Sequence, residues 1–231
     1  VNSYSLRVDV FVLELKALTK SYGMKTVLSK GALRVAQGEF CLISGKSESG
    51  KSVLLKVISG QEECTDGSIL IDNQTINNTQ KNNFVLIFAN YSLHPESTVY
   101  ENLAYRLYLK GVKRQQIRQH IDVIAKKMNL THLLKNYPKD LNIFSYIRVV
   151  FARALVQQAR FYLLDEPWRD FPCALKKRLA RLLCHLQQEG KFSVIYTSSL
   201  LLHEESQFFK QIDQRVKLEN SHLIPVHLTM K

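Results

Sequence analysis

The sequence predicts an α/β fold: a strand–loop–helix core, extra short strands that pair antiparallel, and an inserted set of helices. Three observations predict it. Gly45-Lys46-Ser47-Glu48-Ser49-Gly50-Lys51-Ser52 has the spacing G-x-x-x-x-G-K-S, set between a strand-like and a helix-like apolar run. Arg160-Phe161-Tyr162-Leu163-Leu164-Asp165-Glu166-Pro167 is a second buried-strand run, and it ends in two carboxylates. Between them, from about residue 98 to 155, apolar residues recur at helical spacing.

In chain order, residues 10–16 read as a strand, Tyr22-Gly23 as a turn, and Thr26 to Ala36 as strand-like residues around Gly31. Glu39 to Ser44 is a short apolar run suited to a buried strand, and Val53 to Ser59 suits a helix that ends at Gly60. Asp66-Gly67 reads as a turn before the strand Ser68 to Ile71. Asn73 to Asn83 is a loop by composition, and Phe84 to Phe88 is a buried strand.

Thr98-Val99-Tyr100-Glu101 has capping-box spacing, in which the threonine oxygen takes a first-turn amide and the glutamate reaches back. Ile117, Ile121, Ile124 and Met128 fall on one face of a helix over 114–129. Pro138 interrupts, and Ser145 to Val156 reads as a further helix. Leu175 to Gln188 is an amphipathic helix broken at Gly190. Phe192 to Thr197 is a core strand, and Val216 to Val226 can form a hairpin.

The first motif is the phosphate-binding P-loop. Gly45 and Gly50 let the backbone turn tightly and bring its amides round an anion, and the helix N-terminus adds free donors and partial positive charge. Lys51 is positioned to reach the β- and γ-phosphates, and the Ser52 hydroxyl to bind Mg²⁺. With these, Lys46, Ser47, Glu48, Ser49 and Val53 complete the candidate cradle. Asp165 and Glu166 end a strand at the edge where open α/β sheets place ligand chemistry. In a P-loop protein such an aspartate completes Mg²⁺ binding, and the adjacent glutamate can polarise an attacking water. Without a P-loop upstream, the same pair would read as two solvated acids.

The net charge of +12 suits nucleic acid, an anionic membrane surface or an anionic ligand. The basic residues are spread along the chain and no nucleic-acid module accompanies them. The local cluster Lys176-Lys177-Arg178 and Arg181 reads as a solvated helix face. Cys41, Cys64, Cys173 and Cys184 lack metal-ligand spacing and read as reduced thiols of a cytosolic protein. No apolar run has the length to span a bilayer.

From about Val12 to Leu223, the order of elements resembles the nucleotide-binding subunits of ABC transporters, most of all the sugar-importer ATPases of the MalK kind. Leu18-Thr19-Lys20-Ser21-Tyr22-Gly23 resembles the family's opening, which puts Tyr22 at the aromatic that stacks on adenine. Asn90 to Pro95 and Thr98 to Leu103 resemble the stretch after the Q-loop. Ala152-Arg153-Ala154-Leu155 and Tyr162 to Pro167 match the end of the signature helix and the Walker B strand. The resemblance implies a P-loop NTPase (RecA-like) core with an antiparallel β subdomain and an inserted α-helical subdomain, all in one domain over residues 1–231. It implies ATP and Mg²⁺ as cofactors, Ser52 and Asp165 as metal ligands, and Glu166 as general base. It also implies a dimer with itself or another ABC ATPase, transmembrane permease subunits as partners, and a peripheral place on the cytoplasmic face of the membrane. The transported solute, a sugar or similar polar molecule, would not touch this chain.

The departures carry equal weight. The Q-loop glutamine aligns with Ala89, and the signature Leu-Ser-Gly-Gly-Gln aligns with Leu141-Asn142-Ile143-Phe144-Ser145. Ile143 and Phe144 put side chains where a backbone should approach a partner's γ-phosphate. The D-loop is Arg169-Asp170-Phe171-Pro172, and the switch histidine aligns with Ser199. Glu48 places an acid beside the phosphate site. Residues that hold nucleotide in cis are therefore kept, while those that sense or sandwich it are altered. Two functions fit this pattern: a subunit coupling Mg-ATP binding, with weak hydrolysis, to a permease; or a non-catalytic ATP-binding partner of an active homologue. A soluble ABC protein of nucleic-acid work is a third, suggested by the charge alone.

Overall fold

The computed structural model describes residues 11–76, 82–88, 92–199 and 212–226. They divide into two compact units, Val1–Leu86 with Arg160–Lys231, and Ile87–Ala159.

In the first unit, β1 (Val12–Tyr22) and β2 (Lys25–Ala36) form an antiparallel hairpin that turns at Gly23 and Met24, with Tyr22 opposite Lys25. β4 (Asp66–Ile71) pairs antiparallel with β1, and the two-residue β5 (Gln74–Thr75) with β4. The expected turn at Asp66-Gly67 is instead the start of β4, since Asp66 pairs with Thr19. Gly67 has φ +85°, and a Cβ there would lie 2.4 Å from the Ala17 oxygen. The glycine therefore serves a bulge between Lys16 and Thr19, which a reading of local turn chemistry misses. A turn instead follows β4, at Asp72 and Asn73, both with positive φ. This shortens the loop expected from Asn73; residues 77–81 of that loop lie outside the described residues.

The second sheet has the order β10-β9-β3-β8-β7-β6. Its members are β3 (Phe40–Ser44), β6 (Phe84–Phe88), β7 (Phe161–Asp165), β8 (Ser193–Ser198), β9 (Gln214–Glu219) and β10 (His222–Pro225). β3, β7, β8 and β9 are mutually parallel neighbours, and β10 closes the edge antiparallel. All residues of β3, β7 and β8 are buried, as continuous apolar strands in a covered parallel sheet must be. Burial in β3 also pushes the Cys41 thiol up. The four cysteines are free thiols. β9–β10 is the expected tail hairpin, turning through Asn220 and Ser221, both at positive φ.

α1 (Lys51–Ile58) buries Leu54, Leu55, Val57 and Ile58. Each such side chain contributes roughly 1.5–3 kcal/mol. This burial anchors the helix whose N-terminus faces the P-loop. α5 (Cys173–Gly190) ends at Gly190 as expected, and Lys191, with φ 50°, is its left-handed cap. Lys176 is a correction: it is buried, and its ammonium donates to the Arg169 carbonyl at 2.6 Å. Lys177, Arg178 and Arg181 are exposed as expected.

In the second unit, α2 (Val99–Leu109), α3 (Arg114–Lys127) and α4 (Ile143–Leu155) form the helical insert. The capping box at α2 is present, with the Glu101 amide donating to Thr98 Oγ1 at 3.2 Å and the Thr98 amide to Glu101 Oε2 at 2.7 Å. α3 buries Ile117, Ile121 and Ala125, with Met128 buried just beyond; Ile124 is only half-buried. A 3₁₀ turn at Pro138–Asp140 marks the break before α4.

Candidate functional site

The P-loop spans the end of β3 and the start of α1. Gly50 is the N-cap of α1 with φ 103°, a conformation glycine adopts freely. A Cβ at Gly45 would meet the Leu218 carbonyl at 2.7 Å, and one at Gly50 would meet Val27 at 2.6 Å. Both positions therefore exclude any side chain. Glu48 has φ 61° without being glycine, which costs of order 1 kcal/mol, and its side chain is exposed. Lys46, Ser47 and Ser52 are also exposed, while Val53 is half-buried.

No side chain caps α1, and among the described residues no backbone carbonyl accepts from the amides of Lys51, Ser52 or Val53. The Ser49 hydroxyl is buried and lacks a partner among the described residues. Free amides at a helix start and an unpaired buried hydroxyl suit an oxyanion ligand, so the loop fits a phosphate group.

Lys51 is buried, and its ammonium donates to the Gly45 and Lys46 carbonyls, both at 2.7 Å. It also pairs with Glu166 Oε1 at 3.2 Å. α1 packs on β7, whose last residue, Asp165, is buried. Thr197 Oγ1 of β8 donates to Asp165 Oδ1 at 3.0 Å, which fixes that carboxylate. Ser52 lies in the first turn of α1 and Asp165 ends β7, so the two expected metal ligands sit at the ends of packed elements. Among the described residues no group of three or more His, Cys, Asp or Glu side chains could hold a metal by itself. A Mg²⁺ ion held by Ser52 and Asp165 would need phosphate oxygens and water to complete its shell.

Glu166 follows Asp165 in a left-handed conformation, φ 45°. Its second oxygen accepts from Arg169 Nε at 2.9 Å and from Ser199 Oγ at 3.0 Å. Arg169 Nη2 also donates to Ser199 Oγ at 3.0 Å and to Ser47 Oγ of the P-loop at 3.3 Å. The sequence places Arg169 only in an altered D-loop, and Ser199 only at the position of the switch histidine. The structure puts both on the Glu166 carboxylate. The signal available was Glu166-Pro167-x-Arg169: proline at the second position of a turn brings residues i and i+3 together. That turn is formed, with the Arg169 amide donating to the Glu166 carbonyl at 3.2 Å.

Tyr22 ends β1 with its ring half-exposed and its hydroxyl donating to Glu62. That hydrogen bond holds the phenol above its ordinary range and the carboxylate below its own. Lys20 Nζ lies 4.8 Å over the ring. In the other unit, the stretch aligned with the ABC signature is the start of α4. Asn142 is the N-cap and accepts from the Ser145 amide at 2.9 Å, so an amide that could meet an anion is taken. Ile143 is 56% exposed, and the Arg148 guanidinium stacks on Phe144 at 4.9 Å. Ala89 lies outside the described residues.

The family model for ABC transporters matches residues 28–169, from β2 through the P-loop to the turn after Glu166. The chain belongs to the ABC transporter family. It is 35% identical over 189 residues to the sn-glycerol-3-phosphate import ATP-binding protein UgpC of Yersinia enterocolitica, covering 80% of this chain and 52% of that one. The Pectobacterium atrosepticum protein of the same name is also 35% identical, covering 80% and 53%. The chain thus spans about half the length of the curated relatives it matches. Among solved structures it superposes on CbiO1 of Clostridium perfringens, described as part of the ABC transporter complex CbiONQ. The TM-score is 0.82 at 21% identity, covering 94% of this chain and 88% of that one. The fold is therefore the P-loop NTPase fold of ABC ATPases, α/β with an antiparallel sheet beside the parallel core.

Proposed function

We propose that this chain is the ATP-binding subunit of an ABC importer for a polar solute such as a sugar or a glycerol phosphate. Residues 1–231 act as one ABC ATPase domain, with the helical insert at about 98–155. The observation that carries the reading is the open N-terminus of α1 beside the Lys51 ammonium, next to Asp165 and Glu166. Lys46, Ser47, Glu48, Ser49, Gly50 and Val53 form the phosphate cradle by their backbone, and Tyr22 supports the adenine. Ser52 and Asp165 hold Mg²⁺, which neutralises phosphate charge when bound. The names of the similar proteins, ATP-binding proteins of sn-glycerol-3-phosphate import, support the importer class. Transmembrane permease subunits and a second ABC ATPase, identical or different, complete the machine. Among the described residues no helix is long and apolar enough to cross a membrane, in keeping with a peripheral place on the cytoplasmic face.

A second reading has its own support: a non-catalytic ATP-binding partner of an active homologue. Glu166 is engaged by two cations, and Ile143 and Phe144 start the signature helix in place of glycines. The test of the shared core is Lys51→Ala. It should weaken Mg-ATP binding at least tenfold, about 1.4 kcal/mol. Unchanged affinity in a direct titration would remove the P-loop as the phosphate site.

A further inference from the structure

We propose that Arg169 is a specificity-determining residue of the phosphate site: its guanidinium reads the terminal phosphate of a nucleoside triphosphate from within the same chain. The proposal rests on the nucleotide-binding reading above and adds a preference for triphosphate over diphosphate. It starts from what the Glu166 carboxylate does now. One oxygen lies 3.2 Å from Lys51 Nζ, and the other 2.9 Å from Arg169 Nε. A single small anion thus bridges two cations, one buried in the P-loop and one at its rim. A phosphate presents the same pairs of oxygens with more charge, and a guanidinium fork matches it in two-point fashion.

The arm that carries the guanidinium is anchored, while its end is free to change partner. Pro167 sets the turn that returns Arg169 to Glu166, and the buried Lys176 ammonium holds the Arg169 carbonyl at 2.6 Å. Trp168 is buried, 5.4 Å from the Tyr196 ring. The Arg169 side chain itself is 42% exposed. Its Nε and Nη2 are engaged, whereas Nη1 bonds none of the described residues, so donors remain for a ligand. Its contact with Ser47 places it on the outer part of the P-loop. The inner phosphates belong at the α1 amides, which leaves the outermost one for Arg169. Ser199 Oγ, on both Glu166 and Arg169, supports the guanidinium when the carboxylate gives it up.

The test is titration of Mg-ATP and of Mg-ADP into the wild-type chain and Arg169→Ala, with the melting temperature of the unliganded proteins followed alongside. Arg169→Ala should bind Mg-ATP about tenfold more weakly and Mg-ADP within about twofold of wild type, in line with the strength of a charge-assisted hydrogen bond at a part-exposed site. Arg169→Lys should recover part of the Mg-ATP affinity. Where alanine lowers the melting temperature, Arg169→Gln, neutral and of similar length, reads the same ratio. An ATP-to-ADP ratio equal to that of wild type overturns the proposal. This holds whether both affinities fall together, as a merely structural residue would cause, or neither moves. A wild-type chain that binds neither nucleotide overturns the proposal together with the reading beneath it. Wild-type binding abolished by Lys51→Ala, with the ratio unmoved by Arg169→Ala, overturns the proposal alone.

Discussion

Replacing Glu166 by glutamine removes the negative charge between Lys51 and Arg169 and leaves the side chain nearly the same shape. Breaking one partner of a fully buried pair costs about 3–5 kcal/mol. Here the loss is smaller. Lys51 keeps two carbonyl acceptors, Arg169 is part-exposed, and the glutamine oxygen can still accept a bond. We place the cost to the unliganded protein at about 1–2 kcal/mol, near the value of one charge-assisted hydrogen bond. For a chain of this size that lowers the melting temperature by roughly 2–8 °C. On the proposed reading, a bound triphosphate would take over both cations, so the liganded protein would not feel the loss. The same 1–2 kcal/mol then appears as tighter binding, about 5- to 30-fold in Kd. Thermal denaturation with and without saturating Mg-ATP, and a direct titration, read both quantities. The reasoning is refuted if the unliganded Glu166→Gln protein melts as wild type does, or if its Mg-ATP affinity falls.

Two further outcomes follow from Tyr22. Tyr22→Ala should weaken Mg-ATP binding by roughly 1–3 kcal/mol, the usual worth of a base stacked on an aromatic ring. The fold should be kept, because Glu62 retains Lys20 and Lys56 as partners at 3.7 and 3.5 Å. An equal loss for inorganic triphosphate would show that the ring does not serve the base. The Tyr22–Glu62 bond also has a pH signature. The phenol is raised and the carboxylate lowered, so the bond's contribution holds between the two ordinary values, about 4.3 and 10. It is lost as pH falls through the lowered Glu62 value or rises through the raised Tyr22 value. Glu62→Ala should bring the Tyr22 titration down to the ordinary range, measured by resonance shift of that ring; an unmoved titration would contradict the assignment.

What the sequence disclosed, and what it hid, divides along a physical line. The P-loop, the β7 run into Asp165-Glu166 and the capping box at Thr98 are local patterns, each complete within eight residues, and the structure has them in place. Features that depend on a distant partner were not legible. Gly67 looks like a turn residue until the carbonyls of Lys16 and Ala17 are seen beside it. Lys176 reads as one of a solvated cluster until the turn after Glu166 sets a carbonyl at its ammonium. Gly190 reads as a helix stop, and the helix does end there, but the left-handed cap is the next residue, Lys191, rather than the glycine. Arg169 is the largest omission. Its contacts to Ser47 and Ser199 span 122 and 30 positions, and no window along the chain contains them.

The central claim is that the chain holds nucleotide but turns it over feebly. On the proposed function, binding would rely on Lys51, Ser52, Asp165 and Tyr22, which are present, while Ala89, Ile143, Phe144 and Ser199 align with the family's sensing groups. Loss of one well-aimed donor lowers a rate about 10²–10³-fold. The losses are not multiplied, since such groups act together. One alone takes an ordinary turnover of about 10 s⁻¹ to about 0.1 s⁻¹ or less. The most direct measurement is steady-state phosphate release by the purified chain at a Mg-ATP concentration shown by titration to saturate it. The account predicts measurable affinity with turnover at or below about 0.1 s⁻¹. Turnover near 10 s⁻¹ that Glu166→Gln abolishes would contradict it.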